Sequence, residues 1–180
     1  DPSRPFRPVN VAVLTVSDSR TMETDTSGGI LADRIVGAGH KLVSRAIEKD
    51  EVPAIVRRLN NWIDDPAIDC IIATGGTGMT GRDVTPEALD QVKEKDIPGF
   101  GELFRWISFK SIGTSTIQSR ACAVLSRGTY IFALPGSNGM QLHIRDNGRG
   151  FDAALMETAG MGIGLQSMRA RIERLGGTWQ

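Results

Sequence analysis

Hydrophobic positions along the chain fall into two alternating kinds of run. Val11-Ala12-Val13-Leu14-Thr15-Val16 is continuously apolar or β-branched, the pattern of a strand covered on both faces. Ile30, Leu31, Ile35 and Val36 then recur at helical spacing, predicting a helix capped by Thr26 or Ser27 and ending at Gly37-Ala38-Gly39. Lys41 to Ile47 reads as a second strand. Val52, Ile55, Val56, Leu59 and Ile63 form the stripe of a helix from about Val52 to Asp64. Ile68 to Ala73 is a third strand and Thr129 to Leu134 the last clear one; between them Gly101 to Lys110 and Gly113 to Ser126 are expected to be helical, the latter ending at Gly128. Strands alternating with helices up to about residue 136 predict an α/β fold with an open, mostly parallel sheet and helices on both faces. Ligands bind such sheets at the carboxyl ends of the strands, where the loops carrying Asp18, Asp50 and Gly75 emerge.

Composition narrows the partners. The chain has 180 residues, with 21 Lys plus Arg against 21 Asp plus Glu, so no bulk attraction to nucleic acid or an anionic membrane is implied. Aromatic residues make up 6%, without an interleaved basic patch, which further weakens nucleic-acid binding. Cys70 and Cys122, in a predicted strand and a predicted helix, read as small buried hydrophobes in a reducing compartment rather than as a disulfide. The lead-in Asp1 to Pro8 lacks the apolar core of a signal peptide, and no apolar run reaches membrane-spanning length. A cytoplasmic protein is expected. His40 and His143 give no zinc spacing, and Trp62 and Trp106 read as core or interface anchors.

The densest chemistry lies in Thr74-Gly75-Gly76-Thr77-Gly78-Met79-Thr80-Gly81-Arg82-Asp83-Val84-Thr85-Pro86-Glu87. Its glycines let the backbone approach a ligand and turn amides inward, and the hydroxyls of Thr74, Thr77 and Thr80 are potential donors to phosphate. Asp83 places a carboxylate beside the loop, suited to a metal ion or a nucleophile. Thr85-Pro86-Glu87 then reads as N-cap, first-turn proline and first-turn acid of a helix.

The loop resembles that of the MoaB/MogA proteins of molybdenum cofactor biosynthesis. The likeness extends to Leu14-Thr15-Val16-Ser17-Asp18, Asp25-Thr26-Ser27-Gly28, Pro98-Gly99-Phe100-Gly101-Glu102, Ser119-Arg120 and Leu134-Pro135-Gly136-Ser137, in order over roughly the first three quarters of the chain. The resemblance implies a three-layer molybdopterin-binding fold over residues 1–138, assembled as a homotrimer or hexamer. It implies transfer of the adenylyl group of ATP to the molybdopterin phosphate with Mg2+, or, alternatively, a non-catalytic molybdopterin-binding or oligomeric scaffold. By the same resemblance, Thr74, Gly75, Gly76, Thr77 and Gly78 cradle the acceptor phosphate, and Asp50 and Asp83 serve metal binding and catalysis. Asp18 and Glu102 line the pterin pocket, and Pro135, Gly136 and Ser137 complete the ATP side. Each acid also has a simpler use: Asp18 as a turn cap, Asp50 as a helix N-cap, Asp83 as a loop cap, Glu102 as first-turn negative charge. Arg105 and Arg120 are either phosphate neutralisers or solvated surface.

After Ser137 the text changes. Asp146-Asn147-Gly148-Arg149-Gly150-Phe151 and Gly160-Met161-Gly162-Ile163-Gly164-Leu165 resemble the nucleotide-binding end of a sensor histidine kinase ATPase domain. That likeness makes Asp146, Gly148, Gly150, Gly162 and Gly164 vestigial nucleotide contacts. Residues 139–180 are thus expected to be an incomplete fragment, without the upstream Asn-bearing helix such kinases use to hold magnesium, and too short to fold as an ATPase alone.

Overall fold

The computed structural model describes residues 6–136. Strand β1 (Asn10–Val16) is followed by α1 (Thr26–Gly37), β2 (Lys41–Glu48), α2 (Val52–Ile63) and β3 (Cys70–Thr74). Then come α3 (Thr85–Val92), β4 (Lys95–Asp96), α4 (Pro98–Ile112), a 3₁₀ segment (Gly113–Gln118), β5 (Cys122–Ser126) and β6 (Thr129–Leu134). Among the described residues they form one six-stranded sheet in the order β2-β1-β3-β6-β5-β4. The four strands β2, β1, β3 and β6 run parallel, whereas β5 is antiparallel to both β6 and β4. The expected mostly parallel α/β sheet is what forms.

The continuous apolar run of β1 is explained by coverage from both sides. Ala12 and Leu14 pack with Ile55, Leu59, Ile71, Leu89 and Ile131 in the larger core, while Val11 and Val13 pack with Ile35, Leu31 and Ile72 beneath α1. Alternation along the strand sends these two sets to opposite faces. Leu14, Ile55, Leu59 and Leu89 are fully buried, each contributing about 1.5–3 kcal/mol relative to exposure. Trp62 is a core anchor, 6% exposed.

Four local expectations are corrected. The cap of α1 is Asp25, whose Oδ1 accepts from the Gly28 amide at 2.9 Å, so neither Thr26 nor Ser27 occupies that position. Ile30 and Val36 are exposed: Leu31 and Ile35, one turn apart, face the sheet, which points residues about 100° to either side of that line away from it. The stretch expected as a helix over Gly113–Ser126 is instead a 3₁₀ segment followed by β5, and Cys122 is therefore a strand residue. Gly113 ends α4 at φ +59°, and Arg127 and Gly128, both at positive φ, make the tight turn of a β5–β6 hairpin rather than a helix terminus. Thr85 is the first residue of α3, preceded by Val84, and its hydroxyl caps nothing in that helix; it donates to the Gly75 carbonyl at 2.8 Å.

Candidate functional site

From β1 the chain goes to β2 on one side of the sheet and later to β3 on the other, so the sheet order switches direction between β1 and β3. A crevice opens at such a point beyond the carboxyl ends of the strands. Here it is a cleft of about 810 Å³, bounded by the end of β1, the glycine loop after β3, the end of β6 and the segment after α4. Of the residues expected to bind ligand, Thr74, Gly75, Gly76, Thr77, Gly78, Asp83, Pro135 and Gly136 are brought together on its wall.

The glycine loop is held from behind. The Gly75 amide donates to the Leu134 carbonyl at 3.0 Å, tying the loop to β6. The Gly75 carbonyl accepts from the Thr85 hydroxyl and the Gly76 carbonyl from the Thr85 amide at 2.9 Å. The Thr77 carbonyl accepts from the Arg120 amide at 3.2 Å, and the Gly78 carbonyl from Arg120 Nε at 2.7 Å. Gly75 and Gly76 have φ of +99° and +62°, and a Cβ on Gly75 would fall on the Val16 carbonyl oxygen, so both positions need glycine. A Cβ on Gly76 would lie 2.8 Å from Asp50 Oδ1.

Two of the three hydroxyls expected to face a phosphate are already donating within the protein. Thr74 Oγ1 donates to the Pro135 carbonyl at 3.2 Å, and Thr80 Oγ1 to Asp83 Oδ2 at 2.5 Å. Thr77 is buried on the cleft wall.

The carboxylates divide by environment. Asp83 Oδ2 also accepts from the Thr80 amide at 2.9 Å, so Asp83 closes its own loop as well as lining the cleft. Burial pushes its pKa up, but the Thr80 hydroxyl, the amides of Thr80 and Gly78 and the charge of Arg120 outweigh this and hold it below the usual carboxylate range. Asp50 behaves oppositely: burial raises its pKa, and the charges of Asp18 and Asp83 raise it further. Its expected alternative as a helix cap is not what the backbone shows, because Glu51 precedes α2. Asp18 is exposed; it accepts from the Asp50 amide at 3.4 Å and pairs with the Arg82 guanidinium. Asp18, Asp50 and Glu102 are outside the set of residues lining the cleft, and Glu102 is exposed on α4. Ser137, Asp146, Gly148, Gly150, Gly162 and Gly164 lie outside the described residues.

Several cleft residues escaped the sequence reading. Ser19 and Arg20 line it from the loop after β1, and Ser115 and Gln118 from the 3₁₀ segment, with no motif of their own, Arg20 being the one cation among the described lining residues. Asp25 does carry a signal, since Asp is among the favoured helix N-cap residues and stands just before the helix. Its carboxylate is buried and accepts from Thr15 Oγ1 at 2.6 Å and Arg45 Nη2 at 2.9 Å. Burial raises its pKa, yet these partners and the Gly28 amide together hold it below the normal range. Arg120, half-buried, is not a free surface side chain: it binds loop carbonyls and pairs with Glu87.

Comparison with known proteins gives a consistent family. A family profile described as "Probable molybdopterin binding domain" matches residues 12–147. Molybdenum cofactor biosynthesis protein B of Escherichia coli K12 is 47% identical over 135 residues, covering 75% of this chain and 79% of that protein. The protein of the same name from Bacillus subtilis is 42% identical over 132 residues, covering 73% and 78%. A crystal structure of a molybdenum cofactor biosynthesis protein B superposes with a TM-score of 0.72 at 40% identity, over 76% of this chain and 85% of that one.

Proposed function

The chain belongs to the molybdopterin-binding MoaB/MogA family of molybdenum cofactor biosynthesis proteins, and on that premise we propose that it binds molybdopterin and transfers the adenylyl group of ATP to the molybdopterin phosphate, releasing pyrophosphate. One observation carries this reading. Four consecutive carbonyls, of Gly75, Gly76, Thr77 and Gly78, are bound from the protein side. A trans peptide points its N–H opposite to its C=O, so the amides of Gly76, Thr77 and Met79 turn away from that side as donors to phosphate oxygens, while the Gly78 amide faces the Asp83 carboxylate.

In this reading Thr74 to Gly78 hold the acceptor phosphate, and Pro135 and Gly136 bound the ATP side. Arg20, Ser115 and Gln118, which line the cleft, join Asp18 and Glu102 as contacts for the pterin ring in this reading. The donor set suits Mg2+. Asp50 and Asp83 repel each other beside a phosphate cradle, and a cation relieves that repulsion. No group of three or more His, Cys, Asp or Glu among the described residues could hold a metal by itself, and Mg2+ characteristically completes its shell with phosphate oxygens and water. When bound, it would offset charge on the phosphates. In this reading the ligand-binding domain is residues 1–138. Leu103, Phe109 and Ile117 present exposed apolar surface on α4 and the segment after it, which supports assembly as a homotrimer or hexamer, testable by light scattering.

Incubating the chain with ATP, Mg2+ and molybdopterin tests the proposal. Adenylylated molybdopterin and pyrophosphate are expected in equal amounts, with about 100-fold less from Asp50→Asn, the loss typical of deleting one electrostatic contributor. Equal turnover by Asp50→Asn would remove Asp50 from the chemistry. A folded wild type that binds molybdopterin without product would be a non-catalytic binding protein.

A further inference from the structure

We propose that Arg120 is the positioning residue of the phosphate cradle: with one guanidinium and one amide it gathers the carbonyls of Thr77, Gly78 and Asp83, and so sets the direction in which the amides of this loop face. The identity of the ligand rests on the function proposed above; the positioning itself rests on geometry alone.

Arg120 stands just before β5, far from the glycine loop in sequence, yet reaches both ends of the segment 77–83. Its amide donates to the Thr77 carbonyl at 3.2 Å, Nε to the Gly78 carbonyl at 2.7 Å and Nη2 to the Asp83 carbonyl. The remaining nitrogen, Nη1, pairs with Glu87 on α3. Nε and Nη2 lie along one edge of the planar guanidinium, so a single rigid group spans two carbonyls that the chain separates by five residues. Inside the same loop, Asp83 Oδ2 binds the Thr80 amide and hydroxyl at 2.9 and 2.5 Å. The segment is thus clamped twice, by an anion that collects donors on one side and a cation that collects acceptors on the other. Each of the three guanidinium nitrogens has a partner in this clamp. Met79, at the tip between the clamped ends, is 69% exposed and packs against no core that could substitute for Arg120. Without Arg120 the peptides after Thr77, Gly78 and Asp83 are free to rotate, and the ligand must order them itself.

The test compares the full wild-type chain with Arg120→Ala and Arg120→Lys by amide hydrogen exchange, by binding of inorganic pyrophosphate, and by steady-state kinetics. Lysine keeps the charge but has no edge to span two carbonyls, so it is expected to behave like alanine at the loop. Exchange at residues 77–84 should accelerate about 10-fold or more in both variants while β1, β3 and β6 stay protected, because two charge-assisted bonds are lost locally. Pyrophosphate binding should weaken about 10- to 100-fold by the same loss. The kinetic loss should appear mainly in KM for the phosphate-bearing substrate, and methylguanidinium should restore part of the binding in Arg120→Ala only. Unchanged exchange and binding in Arg120→Lys would overturn the proposal, and so would acceleration spread evenly over the sheet, which is what a merely structural arginine gives. A wild type that binds no pyrophosphate would overturn it as well. If Arg120→Ala does not fold, Arg120→Lys carries the measurement. A wild type that orders its loop and binds pyrophosphate but makes no adenylylated product refutes the function above and leaves this inference standing.

Discussion

Replacing Asp25 with alanine is expected to cost this domain about 4 kcal/mol, combining roughly 1 kcal/mol for a lost helix cap with roughly 3 kcal/mol for a broken buried ion pair. The carboxylate side chain is 1% exposed and its Arg45 partner 20%. It serves at once the Gly28 amide at the start of α1, the Thr15 hydroxyl on β1 and the Arg45 guanidinium on β2. Removing it leaves Arg45 covered without its counter-ion, and the lower end of the range for a broken pair applies because Arg45 keeps some contact with water. For a domain of this size about 4 °C per kcal/mol applies, so Tm should fall by roughly 16 °C. Urea denaturation gives the free energy directly, with the midpoint shifting at constant slope. Asp25→Asn, which keeps a cap acceptor but no charge, should fall between wild type and alanine. The pH dependence has a definite sign: the folded pKa of Asp25 lies below the ordinary 3.8, so its contribution is complete above that value and is lost as pH falls through the folded pKa. The gap between wild type and Asp25→Ala should therefore be constant near neutrality and narrow as pH falls below 3.8 and through the folded pKa. A loss under about 1 kcal/mol, the worth of an exposed pair, would refute the reasoning.

Gly76→Ala places a methyl against Thr85 and Asp50 at a positive φ, and should destabilise the fold by about 1–3 kcal/mol while weakening pyrophosphate binding, as read by denaturation and calorimetry. Asp50→Asn should raise Tm at neutral pH although it removes activity. The raised folded pKa of Asp50 means that its ionisation opposes folding, so the gain should vanish on acidification below the unfolded value of 3.8. Arg82→Ala, which loses an exposed pair with Asp18, should change stability by less than about 1 kcal/mol but push the Asp50 pKa higher still, visible in an NMR titration of its carboxyl.

The elements read correctly from sequence are those whose pattern is local and strong. The unbroken apolar run of β1, the stripe of α2 and the β-favouring run of β6 each have one arrangement that hides them from water. The glycine loop was legible for the same kind of reason, because only glycine tolerates the backbone at Gly75 and Gly76. The stretch before β6 was not, since Ala121 to Leu125 has apolar content compatible with either a helix or a strand. Pairing with β6 decides for the strand, and no local signal reports that pairing except the Arg127-Gly128 turn.

The chemistry divides along the same line. Sequence alone determined the alternation of strands and helices through β3, the last strand, the place of the phosphate cradle and the family, because these depend on spacing between neighbours along the chain. Tertiary structure decided what each polar group does, because a hydroxyl has one proton and a guanidinium a fixed set of edges, and their use depends on which distant residue arrives beside them. Thr74 and Thr80 are consumed inside the protein, and Asp25 is a three-element tie rather than a loop residue. Arg120 is drawn onto the back of a loop that begins some forty positions earlier in the chain.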